Sequence, residues 1–303
     1  MRRVFLLVLL VPVLLLSGCI TSNVGAPTAV PLNTSGNVAV FTPDQGATPG
    51  GVVNTLPGTS GSEVTPIPRT PQPTDAPGKG PLAGVVICVD PGHQDTGLTE
   101  KEPCAPWGPE ANSSVNNTTM KAKATSGTTG ISTKKTEYVI NLEIGLKLRD
   151  ALEALGATVV MSRVDNSSRI SNRERALMAN EAGCVLTFNI HCNGSDNTSV
   201  SGVELYVRGA GDNTAEYEQR SKTDLALGQK LLDRIIAATG AKKRSVNKSD
   251  SYTGINWRDH TTFIIECGFI SNPDEDVRLN TPEYQDKLVS GIVKFVTDDY
   301  MNG

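Results

Sequence analysis

Four residues of this 303-residue chain have side chains suited to metal or acid–base chemistry, and each falls where such chemistry is commonly done. His93 follows Val85-Val86-Ile87-Cys88-Val89, an apolar run closed by Asp90-Pro91-Gly92, and His191 follows Val185-Leu186-Thr187-Phe188-Asn189-Ile190. Glu137 opens a run with helical spacing, and Glu266 ends Phe263-Ile264-Ile265. The chain has only 3 histidines, so two of them at strand ends is a selective use. Open α/β sheets place ligands at the carboxyl edge of their strands, and a helix N-terminus approaches the same edge. Two imidazoles and one carboxylate are enough for catalytic zinc, which takes three protein ligands and keeps one position open. Glu266 has apolar company, which raises a carboxyl pKa and suits a general acid/base. Plainer readings stand beside these. A carboxylate at a helix N-terminus is stabilised by the helix dipole alone, and a strand-end histidine or glutamate is often satisfied by backbone groups.

The elements that would position these residues are legible from periodicity. A continuous apolar run, as at 85–90, predicts a strand buried on both faces, and Pro with Gly predicts its end. After a long polar loop over 94–135, Ile140, Ile144, Leu148, Leu152 and Leu155 predict a helix over 137–155, closed by Gly156. A strand at 157–163 follows. Ser171-Asn172-Arg173-Glu174 is a capping box that opens a second helix, closed by Gly183. Further strands are expected at 185–190, 202–207 and 262–266. Helices are expected at 215–239 and after Thr281-Pro282, the last carrying Tyr284, Leu288, Ile292 and Phe295 on one face. The alternation predicts an α/β fold, a twisted, mostly parallel sheet with helices on both faces, as a single catalytic domain over 81–303. The 94–136 loop exceeds an ordinary connection and predicts a lid or groove wall.

Outside that domain the composition changes. Arg2-Arg3 and the apolar run Val4–Leu16 predict an export signal over 1–19, and Leu16-Ser17-Gly18-Cys19 resembles a lipoprotein lipobox with Cys19 as the lipidated residue. Residues 20–80, rich in Pro, Thr, Gly and Ser, predict a disordered tether. The expectation is a protein exported to the cell envelope and held at the lipid bilayer through Cys19. The formal net charge of −4, without a basic run past the N-terminus, does not suggest a nucleic-acid partner, and none is expected. Beyond Cys19 the cysteines are Cys88, Cys104, Cys184, Cys192 and Cys267, an odd number that leaves at least one unpaired or bridging to another chain.

Taken in order, Val89-Asp90-Pro91-Gly92-His93, Glu137 with Asn141-Leu142, Asn189-Ile190-His191-Cys192-Asn193 and Ile265-Glu266-Cys267-Gly268-Phe269-Ile270-Ser271-Asn272 resemble the zinc-dependent N-acetylmuramoyl-L-alanine amidases of the amidase type 3 family. Arg163-Val164-Asp165 and Asn172-Arg173-Glu174-Arg175-Ala176 fit as well, so the resemblance covers about 84–300. It implies one zinc ion per chain on His93, Glu137 and His191, and a catalytic role for Glu266. It also implies hydrolysis of the peptidoglycan amide between N-acetylmuramic acid and the L-alanine of the stem peptide. The chain departs from the family at Gln94-Asp95 and in the length of 94–136. Glu143 competes with Glu137 as the carboxylate ligand. His260 is expected as a surface or supporting residue, and Arg258 and Asn256 as substrate contacts. Two other functions remain: a zinc peptidase cutting within the stem peptide, and a non-catalytic peptidoglycan-binding lipoprotein. A regulatory protein partner is left open.

Overall fold

A computed structural model of the chain describes residues 78–106, 119–209, 211 and 215–302, all within one compact unit, Val64–Gly303. The expected export signal, Cys19 and residues 20–77 of the expected tether lie outside the described residues, as do 107–118 of the long loop. Among the described residues, no helix is long and apolar enough to cross a membrane.

The elements run β1 (Val86–Pro91), β2 (Leu98–Pro103), β3 (Met120–Ala124), α1 (Glu137–Glu153), β4 (Thr158–Met161), α2 (Asn172–Glu181), β5 (Leu186–Asn193), β6 (Val203–Arg208), α3 (Ala215–Thr239), β7 (Lys243–Ser249), α4 (Thr253–Asn256), β8 (Thr261–Phe269), α5 (Pro273–Leu279) and α6 (Pro282–Lys294), with a π-helical turn Phe295–Tyr300 after them. Six strands form one sheet in the order β4-β1-β5-β8-β6-β7. The first four are mutually parallel. β6 runs antiparallel to β8, and β7 follows it in parallel. The expected α/β architecture holds, with β6 and β7, the last two strands on one side of the sheet, reversed.

Alternation along each strand sorts the side chains onto two faces. Ile87, Val89, Phe188, Ile190, Phe263, Ile265 and Cys267 join Ile140, Ile144 and Leu148 of α1, Leu231 and Leu232 of α3, and Leu288 and Ile292 of α6 in the main core. Burying each such aliphatic side chain is worth roughly 1.5–3 kcal/mol. On the opposite face Cys88, Val160 and Cys184 pack under Ala179 of α2. Ser171 caps α2 in the expected capping box.

The structure extends and corrects the sequence expectation in several places. β5 runs through His191 to Asn193, and β8 through Glu266 to Phe269, with His191 and Glu266 paired across the two strands. The ladder outlasts the apolar runs because backbone pairing does not require apolar side chains. Pro91 lies within β1, at a point where the chain pairs only with β5. The expected polar loop contains the β2–β3 hairpin, joined to the rest by polar contacts. Pro103 O accepts from Trp257 Nε1 at 2.9 Å, Cys104 O accepts from Asn256 Nδ2 at 3.0 Å, and Glu102 Oε1 accepts from the Arg173 backbone N–H at 2.9 Å. Asn256 is therefore a structural residue, not the expected substrate contact. The five described cysteines are all buried free thiols.

Arg258, the other expected substrate contact, is fully buried as well. Its Nη2 donates to Asp90 Oδ2 at 2.6 Å, while Arg175 Nη1 and Ser162 Oγ donate to Oδ1 at 2.9 and 2.6 Å. Burial opposes ionisation of Asp90, but Arg258 and Arg175 outweigh it and hold the carboxyl well below its ordinary 3.8. This pair joins the segment before β8 to β1 and α2. Replacing Arg258 by Met leaves a buried carboxylate short of one partner, which costs about 3–5 kcal/mol. Urea denaturation at neutral pH is expected to show that loss. The gap between variant and wild type narrows as the pH falls below 3.8, because the stabilisation is present above the unfolded pKa and is lost as Asp90 protonates. A loss under about 1 kcal/mol at neutral pH would remove the pair from the fold's main supports.

Candidate active site

His93 is held in an unusual backbone conformation. Its φ is 64°, in the left-handed region that costs a non-glycine residue about 1–2 kcal/mol. The surroundings offset that cost. Arg175 Nη1 and Arg163 Nε donate to Pro91 O at 2.7 and 2.9 Å. Arg163 Nη2 donates to Gly92 O at 3.0 Å, Asn141 Nδ2 to the same oxygen at 3.2 Å, and Arg175 Nη2 to His93 O at 3.0 Å. Hydrogen bonds from charged donors contribute about 1.5–3 kcal/mol each. Three successive carbonyls are thus fixed by buried side chains, and the imidazole of His93 is aimed by that turn.

The next two residues arrive from α1 and β5. Glu137 is the first residue of α1, and its Oε1 lies 3.2 Å from His93 Nε2 and 3.1 Å from His191 Nδ1. The two imidazoles meet edge to face, with ring centroids 4.8 Å apart. Glu137 also accepts from Cys192 N and Asn141 Nδ2, both at 3.2 Å, and from Thr128 N at 3.1 Å. Burial works against its charge, yet the hydrogen bonds and fields of His191 and His93 hold its carboxyl far below the carboxylate range. Burial pulls His191 below the usual histidine range, which favours the neutral imidazole with a free lone pair. One ligand atom from each of His93, Glu137 and His191 lies within 4.8 Å of the others, so the three could hold a metal ion. An ionised carboxylate and neutral imidazoles are the donor set a divalent cation such as zinc requires. On its far side, His93 Nδ1 faces Thr125 O at 3.1 Å and Thr125 Oγ1 at 2.8 Å. Donation from Nδ1–H to Thr125 leaves Nε2 as the lone pair turned to the cluster.

Glu266 shares a cavity of about 790 Å³ with these three, walled also by Thr125, Gly127, Asn193, Ser195, Asp196 and Ser271. Its Oε2 is buried and finds no hydrogen-bond partner among the described residues. Burial pushes its carboxyl well above the carboxylate range, and the nearby charges of Glu137 and Glu204 add to the shift. Such a group binds a proton more readily than an ordinary carboxylate and is suited to exchanging one.

The other sequence candidates lie elsewhere. Glu143 is bound by Lys135 Nζ at 2.6 Å and by Gln285. His260 sits before β8, at the opposite end of the sheet, with Nε2 2.7 Å from Thr187 Oγ1, and burial brings its pKa down to about 4. Cys192 and Cys267 pack in the main core, and Cys192 also borders the cavity. Sequence reasoning missed the contribution of Thr125 and Gly127, because both lie in an aperiodic stretch and reach the cluster only through the fold.

A family model described as N-acetylmuramoyl-L-alanine amidase matches residues 87–298. The N-acetylmuramoyl-L-alanine amidase LytC of Bacillus subtilis is 27% identical over 221 residues, 71% of this chain and 35% of its own length, so the chain spans about a third of that relative. The germination-specific N-acetylmuramoyl-L-alanine amidase of the same organism is 26% identical over 230 residues, 71% of this chain and 79% of its own length. Among solved structures, the amidase Ami1 from Mycobacterium smegmatis superposes with a TM-score of 0.59 at 24% identity, covering 71% of this chain and 98% of that one. An N-acetylmuramoyl-L-alanine amidase from Clostridium difficile 630 gives 0.56 at 23% identity, with 72% and 97% covered. These structures share the fold.

Two glycines leave room for the cluster. A Cβ on Gly92 would stand 2.2 Å from the His191 ring, and one on Gly127, whose φ is 74°, would stand 2.5 Å from Glu137 Oε2. The variant Gly92→Ala is therefore expected to keep its far-ultraviolet circular dichroism while its affinity for zinc falls about 10- to 100-fold, the range typical of displaced supports around a metal. Chelator competition measures this, and unchanged affinity would separate the His191 ring position from metal binding.

Proposed function

This chain belongs to the N-acetylmuramoyl-L-alanine amidase family, and on that premise we propose that it is a zinc-dependent peptidoglycan hydrolase. The bond cleaved is the amide between the lactyl group of N-acetylmuramic acid and the L-alanine of the stem peptide. The observation that carries this reading is the convergence of His93, Glu137 and His191 in one cavity with Glu266. His93, Glu137 and His191 would hold one zinc ion, and Thr125 would orient the His93 ring through Nδ1. Bound zinc supplies Lewis-acid activation of water and of the amide carbonyl.

The remaining work falls to the chain's own groups. An amide resists hydrolysis because water is a weak nucleophile and an amine anion leaves poorly. Glu266 takes a proton from the attacking water as the C–O bond forms. It then delivers that proton to the alanine nitrogen as the C–N bond breaks, giving a free lactyl carboxylate and an N-terminal L-alanine. Its environment supports both steps, since burial and two carboxylate neighbours raise its proton affinity and, among the described residues, Oε2 has no competing donor. Asn193 and Ser271 line the same cavity and offer neutral hydrogen-bonding groups to the substrate.

The reading places the catalytic domain outside the cytoplasm against the cell wall, with residues 1–19 as a lipoprotein signal, Cys19 as the lipid attachment and 20–80 as a tether. Sixty such residues would span about 45 Å root-mean-square, enough to let an anchored domain work in the layer above a membrane.

The variant Glu266→Gln removes the proton shuttle but none of the ligand atoms. It is expected to keep about one zinc per chain and to lose release of stem peptides from purified peptidoglycan by at least about 100-fold. Mass spectrometry of wild-type digests should find N-terminal L-alanine and a free lactyl carboxyl. New termini within the peptide would instead make the enzyme a peptidase, and full turnover by the variant would remove Glu266 from the reaction.

A further inference from the structure

The sheet continues past Glu266 into a polar strip on β6 and β7. Glu204 of β6 is the registered neighbour of Glu266 across the antiparallel β6–β8 pair, so the two side chains rise from the same face about 5 Å apart. Glu204 is nearly buried and fully engaged. Its Oε1 accepts from Asn193 Nδ2 at 2.9 Å and from Tyr206 Oη at 3.1 Å, and its Oε2 accepts from Arg244 Nε at 2.6 Å. Asn193 lines the catalytic cavity, so one side chain separates that cavity from the Arg244–Glu204 pair.

Arg244 is held on several sides. Its guanidinium lies over the Phe269 ring, 4.9 Å from the centroid, and its Nη1 makes a long 3.5 Å contact with Ser201 O. Its aliphatic stem crosses Gly202, where a Cβ would come within 3.0 Å of Cγ. Among the described residues no acceptor takes Nη2, and the side chain keeps 31% of its surface exposed. Glu204 therefore serves as an anchor on the Nε side, and the Nη1–Nη2 edge is presented outward in a fixed plane. That edge matches the two oxygens of a carboxylate, the geometry in which arginine gives strong and selective recognition. Arg244 lies beyond the cavity lining, whose rim residues Gly194-Ser195-Asp196 and Ser271 are neutral or acidic.

We propose that Arg244 binds a carboxylate of the stem peptide and so makes the enzyme selective for substrates that carry it. The proposal rests on the amidase reading above and adds the direction in which the peptide lies. An extended peptide advances about 3.5 Å per residue. A carboxylate one or two residues beyond the scissile amide then falls within the span from Glu266 across Glu204 to the Arg244 guanidinium, about one strand spacing plus a hydrogen bond. The stem peptide would run from the cavity across β6 towards β7, with the sugar on the opposite side.

The test uses two pairs of soluble muramoyl peptides. In the first pair the residue after alanine carries a carboxylate or a carboxamide, and in the second pair the same change is made one residue further along. The wild-type protein is expected to favour the carboxylate member of one pair by about 10- to 100-fold in kcat/KM, mostly through KM, and the favoured pair identifies the carboxylate bound. In Arg244→Gln, whose amide can still donate to Glu204, the preference should fall to near unity, and Arg244→Lys should recover part of it. Equal treatment of both members of both pairs by the wild type overturns the proposal, as does a preference that survives in either variant at its wild-type size. Calorimetric titration of the same four peptides into Glu266→Gln protein reads the preference without turnover. If the wild type releases no alanine-terminated peptide, the amidase reading fails, and the calorimetric preference for the carboxylate form, present or absent, decides the role of Arg244.

Discussion

The turn from Asp90 to His93 is the constraint on which the rest depends. One buried carboxylate, Asp90, faces Arg175 and Arg258, and a third buried guanidinium, Arg163, stands against the carbonyls that follow. Charges taken out of water cost several kcal/mol each unless their partners and hydrogen bonds are complete. Here the completion comes from five elements at once: β1, α1, α2, the 163–166 segment after β4 and the segment before β8. Burial and the neighbouring Arg175 bring Arg163 down only to about 9, so it remains charged at neutral pH. The network leaves the chain little freedom at Gly92 and His93, which is why a left-handed histidine persists there. Strain of this kind is expected where the surrounding structure over-determines a functional residue.

Above that turn, two carboxylates in one cavity are driven in opposite directions. Glu137 stands against two imidazoles and accepts from the backbone N–H groups of Cys192 and Thr128, and stays ionised despite burial. Glu266 has carboxylates for neighbours and an oxygen with no donor among the described residues, and its proton is held more tightly. Environments that push two titratable groups apart divide their roles. The ionised one is suited to a cation and the other to carrying protons. Glu204 shows a third outcome, a carboxylate whose acceptor capacity is taken up in fixing Asn193, Tyr206 and Arg244.

Much of this was legible in the sequence, for physical reasons that differ by element. Apolar runs at 85–89 and 185–190 marked strands that are buried on both faces, and the 3.6-residue spacing from Ile140 to Leu152 marked α1. The four chemical residues stood at the ends of those runs, and the structure gathers all four. What escaped was held by polar contacts without periodicity. β7 carries a single apolar residue, Val246, because it is an edge strand with one neighbour. The β2–β3 hairpin docks through Glu102, Pro103 and Cys104 rather than through an apolar face. Arg258 was read as a substrate contact because its partner, Asp90, lies 168 residues away in sequence and no local pattern announces the pair. Thr125 and Gly127 were invisible for the same reason.

The central claim is that the fold brings His93, Glu137 and His191 together to bind one zinc ion beside Glu266. Anomalous diffraction at the zinc absorption edge, from crystals grown with zinc, tests it most directly. The account predicts a single strong peak within about 2.0–2.2 Å of one atom from each of those three side chains, on the cavity side that faces Glu266. A peak held by other residues, or full zinc supply with no peak at the cluster, would contradict it.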